Sequence, residues 1–86
     1  MTNDELIRRT NAALAEEFEL DPSKMTPEAS FKEDLGLDSL DAVDMVIVLE
    51  QEFGIKIGKD PQIAQIATMA DLYTFITTKR DELTAA

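Results

Sequence analysis

The sequence has 86 residues, 18 acidic and 8 basic, for a formal charge of −10, with no His, Cys or Trp. That length allows one small domain, residues 1–86, and without Cys or His no disulfide or Cys/His zinc site can reinforce its thin core. The same absences remove the usual neutral-pH base and thiol nucleophile, while the negative charge disfavours phosphate backbones, so neither an autonomous enzyme nor a nucleic-acid binder is expected.

Leu, Ile, Val and Phe supply 23 residues, about 27%, above the roughly 20% below which chains stay disordered. Thr2-Asn3-Asp4-Glu5 has capping-box form and opens a predicted helix over residues 2–18. Leu6, Ile7, Thr10, Ala13, Leu14, Glu17 and Phe18 form its inward stripe, and Asp21-Pro22 is read as its stop. Residues 20–38 contain two prolines and a glycine and predict a long loop. Met25, Phe31, Leu35 and Leu37 suggest that it packs, with one helical turn after Ser30.

Ser39 to Phe53 has no Gly or Pro, is preceded by Asp38 as N-cap and is followed by Gly54, which predicts the second helix. A short third helix over Pro61–Ala67, starting after Asp60, and a last one from the Thr68-Met69-Ala70-Asp71 box to near Arg80 complete the chain, with a frayed tail to Ala86. The expected fold is all-α: a small bundle of three main helices plus one short one. The longest apolar run, Met45 to Leu49, is five residues, against about 20 needed to cross a bilayer. The acidic start at Asp4 and Glu5 lacks the basic-then-apolar pattern of a signal peptide, so a cytoplasmic protein with no membrane partner is expected.

The second helix is apolar on two sides. Ala42, Met45, Val46, Leu49 and Phe53 span about 100° of arc, the width of a core-facing stripe. Opposite them lie Leu40, Val43, Asp44, Ile47 and Gln51, with Asp41 and Glu50 at the edges. Residues 33–55 carry seven acids and no base, a field that suits basic partners. Ser39 follows the Asp38 cap directly. A phosphate esterified there would lie in the favourable field of a helix N-terminus, although from position alone a serine near a helix start is usually just a cap. No metal site is expected; the spacing of Asp34, Asp38, Asp41 and Asp44 departs from an EF-hand loop.

Leu35-Gly36-Leu37-Asp38-Ser39-Leu40-Asp41-Ala42-Val43, followed by Leu49-Glu50-Gln51-Glu52-Phe53-Gly54-Ile55-Lys56-Ile57, resembles the acyl carrier proteins of dissociated fatty-acid synthesis. The resemblance implies an acyl-carrier-protein-like fold. It also implies 4′-phosphopantetheine, donated from coenzyme A, on Ser39, with Asp38 as part of the attachment motif, and no catalytic residue. Docking positions would fall on Leu40, Asp41, Val43, Asp44, Ile47 and Glu50, and the acyl pocket on Met45, Val46, Leu49, Phe53 and Ile57. Leu72 and Phe75 of the last helix are expected to close that pocket's far end. Gln51, and the stretch Gly58–Ala67 with Lys59, depart from the family's acidic pattern.

The expected function is therefore a monomeric, non-enzymatic carrier of acyl thioesters for fatty-acid, lipid or polyketide biosynthesis. Its partners would be a phosphopantetheinyl transferase and acyl- and ketosynthase-type enzymes with basic docking patches. The alternative is an unmodified acidic helical adaptor for basic proteins.

Overall fold

The computed structural model describes residues 2–58 and 61–84. Three α-helices, α1 (Asn3–Phe18), α2 (Ser39–Phe53) and α3 (Met69–Thr84), are joined by irregular segments containing 3-10 turns at Pro22–Lys24 and Pro61–Gln65. There is no strand among the described residues, only an isolated bridge between Ser30 and Thr68.

Helix α1 starts where expected, with the Thr2 hydroxyl accepting the Glu5 amide. It stops before Asp21-Pro22 is reached. Glu19 takes the left-handed conformation (φ 54°), and the amides of Glu19 and Leu20 both donate to the Ala15 carbonyl. Leu6, Thr10 and Leu14 are buried in the predicted stripe, whereas Glu17 is exposed. Asp21 instead caps the 3-10 turn, accepting from the Ser23 amide and hydroxyl, and these bonds hold its carboxyl below the usual range.

The long connection is ordered because it buries Met25, Ala29, Phe31 and Leu37. The helical turn expected after Ser30 is present: the Asp34 and Leu35 amides donate to the Ser30 carbonyl, and the Asp34 carboxylate accepts the Ser30 amide at 2.7 Å. Across the molecule, Phe31 donates to Ala67 O and Met69 to Ala29 O, both at 3.0 Å, which ties this connection to the start of α3.

The short third helix is only the 3-10 turn Pro61–Gln65; Asp60, after which it was expected to start, lies outside the described residues. The amides of Ala67 and Thr68 are taken by the Asp71 carboxylate, so the chain is committed to capping α3 and the turn cannot continue to Ala67 as helix. Helix α3 runs past Arg80 to Thr84, since no Gly or Pro follows to stop it and Arg80 donates to Asn3 Oδ1 at the start of α1. The tail residues 85–86 lie outside the described residues.

Helices α2 and α3 both pack on α1. Leu14, Leu49, Met69 and Ile76 are the largest fully buried apolar side chains, drawn from all three helices. Arg9 fastens α1 to the end of α2: it donates to the Glu52 side chain and carbonyl, and its guanidinium lies 5.1 Å from the Phe53 ring centroid. The Tyr73 hydroxyl donates to Asn11 Oδ1 at 2.6 Å, joining α3 to α1.

Candidate functional site

Helix α2 begins with reciprocal capping. The Asp38 carboxylate accepts from the amides of Leu40 (2.9 Å) and Asp41 (3.1 Å), and the Asp41 carboxylate accepts from the Asp38 amide (3.0 Å). Upstream, Gly36 takes φ +69° and the Leu37 amide donates to Phe31 O at 2.7 Å, which turns the buried loop into the helix. Ser39 is therefore the first residue of a helix whose starting direction is fixed by its neighbours.

Beside this start lies an open cleft of about 830 Å³. Phe31 and Leu37 from the loop, and Ala42, Val43 and Met45 from α2, form part of its lining. Ile63, Ala64, Ile66 and Ala67 supply more apolar surface, and Ser30, Lys32, Glu33 and Asp38 the polar groups. Because Asp38, the residue before Ser39, is part of the lining, a phosphodiester at Ser39 would have an apolar surface alongside for what it carries. The residues present thus fit a phosphopantetheine arm.

Of the residues expected to form an acyl pocket, Met45 lines this cleft. Val46, Leu49, Leu72 and Phe75 are buried, while Phe53 and Ile57 are partly buried against the core. None of these six lines the cleft; Leu49, Leu72, Phe75, Phe53 and Ile57 pack in or against the core instead. Phe31, Leu37, Ala42 and Val43 were not expected there. The signal available for two of them was the apolar Phe31 and Leu37 in a loop otherwise rich in polar residues.

The outward face of α2 is sharply divided. Leu40, Val43 and Ile47 are 76%, 57% and 46% exposed, one apolar stripe at helical spacing, with Asp44 exposed beside them. Asp41 is committed to the cap. Glu50 turns inward to the following segment, its Oε2 accepting from the amides of Ile57 (2.7 Å) and Gly58 (3.2 Å).

At the other end of the cleft's lining, Asp71 accepts the Ala67 and Thr68 amides, and these bonds hold its carboxyl below the ordinary 3.8. Burial raises Tyr73 above 10.0. Among the described residues, no group of three or more His, Cys, Asp or Glu could hold a metal ion, and no helix is long and apolar enough to cross a membrane.

Residues 10–76 match the family described as the phosphopantetheine attachment site. Over 79 residues the chain is 40% identical to the acyl carrier protein of Thermosynechococcus vestitus, an alignment covering 92% of this chain and 96% of the relative. An exposed helix start beside an apolar cleft, within a small three-helix fold, is what such an attachment site requires, and the chain belongs to the acyl carrier protein family, with 4′-phosphopantetheine as its cofactor.

Proposed function

We propose that residues 1–86 act as one non-catalytic carrier domain, modified on Ser39 and carrying acyl groups between separate biosynthetic enzymes in the cytoplasm. The observation that carries this reading is the position of Ser39: first residue of α2, with Asp38 on one side of it lining an apolar cleft and exposed Leu40 on the other. When bound, the cofactor supplies a thiol on a flexible arm, which the Cys-free chain lacks, and holds an acyl group as a thioester.

The chain's own residues orient and protect. Asp38 and Asp41 fix the helix start, which places Ser39 in the first turn of α2. The cleft offers apolar surface to the acyl chain, whose exposure to water costs about 0.8 kcal/mol per methylene. Leu40, Val43 and Ile47 give partners an apolar contact, and Asp44 gives basic partners, a phosphopantetheinyl transferase or acyl- and ketosynthase-type enzymes, an electrostatic attraction. One copy of the chain suffices for all of these roles.

Incubation with a phosphopantetheinyl transferase and coenzyme A tests the reading by intact mass. One phosphopantetheine should be added to the wild type and none to a folded Ser39→Ala variant. Modification of the Ala variant would refute the site, and an unmodifiable wild type would favour the adaptor function.

A further inference from the structure

Glu50 holds more of the chain than its position on an exposed helix suggests. Its backbone carbonyl accepts the amides of Gly54 and Ile55, and its carboxylate those of Ile57 and Gly58. Four of the five amides from 54 to 58 thus end on one residue. This segment leads into Pro61–Gln65 and so to Ile63, Ala64, Ile66 and Ala67, which line the cleft. The far end of that lining is pinned independently, where Phe31 donates to Ala67 O and Asp71 accepts the Ala67 amide.

We infer that Glu50 is a positioning residue for cargo: its carboxylate anchors residues 57 and 58, upstream of the cleft's 63–67 wall, whose far end is pinned at Ala67. The inference rests on the cleft being where the acyl chain lies, as proposed above. It gives Glu50 a role that depends on reach, whereas a docking role would depend on charge. A carboxylate one methylene shorter cannot hold both amides from the same helical position, whereas a glutamine of equal length still offers a carbonyl oxygen.

Glu50→Asp and Glu50→Gln, compared in the full-length protein by NMR, separate the two roles. In the apo form, Glu50→Asp should speed exchange of the Ile57 and Gly58 amides roughly tenfold, with Glu50→Gln staying within about threefold of wild type. Wild type and Glu50→Gln should show amide shift changes at residues 63–67 between holo and octanoyl forms, and Glu50→Asp should lose about half of that response. Unchanged exchange at Ile57 and Gly58 in Glu50→Asp overturns the anchor. Full octanoyl shifts in Glu50→Asp, or loss of them in Glu50→Gln alone, overturn the positioning role. If the octanoyl wild type shows no change at 63–67, the cleft itself is refuted and the role in cargo with it, while the apo exchange data still report on the anchor.

Discussion

Asp41 and Asp44 stand three residues apart with the same charge, yet the fold uses them differently. Asp41 completes the α2 cap by accepting the Asp38 amide, whereas Asp44 is exposed and free to act on an approaching partner. Asp44→Lys should therefore slow association with a phosphopantetheinyl transferase several-fold at low salt, without lowering the melting temperature. Asp41→Lys should also lower the melting temperature, because it removes a cap contact. Stopped-flow association at several salt concentrations, with a melt of each variant, checks both; equal stability of the two would contradict the division. Thr10 offers a second test. It is 1% exposed, and its hydroxyl has no hydrogen-bond partner. Thr10→Val keeps the shape and removes the stranded oxygen, so it should stabilise the protein by about 1 kcal/mol in a urea melt.

At the level of elements, legibility followed locality. Helix α2 could be read end to end because Asp38 and Gly54 lie outside it and signal both boundaries. The end of α1 was located but wrongly explained, since a left-handed Glu19 leaves no mark that composition reveals. The extent of α3 was misjudged for lack of any stop residue. The cleft was the least legible feature: its lining joins residues 30–45 to 63–67 through pairings such as Phe31 to Ala67, which helical periodicity cannot register. Two predictions belong here. Glu19→Gly should raise the melting temperature above that of Glu19→Gln, which removes the same charge but keeps the left-handed strain of roughly 1 kcal/mol. Asp71→Ala should lower stability at neutral pH by freeing the Ala67 and Thr68 amides. The Asp71 carboxyl is held below 3.8, so its contribution is present above that pH and lost as pH falls through the lowered value. The stability gap between wild type and Asp71→Ala should close in acid, and a gap constant from neutral pH to about pH 2 would contradict the assignment.

For the whole molecule, the question is whether a charge of −10 on 86 residues can relax. Of the seven acids from Glu33 to Glu52, five have assigned partners: Asp34 holds the Ser30 amide, Asp38 and Asp41 cap α2, Glu50 holds the Ile57 and Gly58 amides, and Glu52 binds Arg9. These carboxylates cannot swing apart without breaking the contacts that shape the site, so their mutual repulsion is built into the native state. In the unfolded chain they separate freely. Screening should therefore favour the folded form: the Debye length falls from about 30 Å at 0.01 M salt to about 10 Å at 0.1 M, within the span of α2. Each 1 kcal/mol recovered corresponds to about 4–8 °C for a domain of this size, so a rise of several degrees between those concentrations is expected. Millimolar magnesium should add to it by screening with a divalent ion. Asp44→Asn, which deletes an exposed charge without removing a contact of the fold's caps, should raise the low-salt melting temperature and reduce its salt dependence. Calorimetric melts of wild type and variant across that salt range decide the matter, and identical, salt-independent melting points would mean that repulsion has no part in limiting this protein's stability.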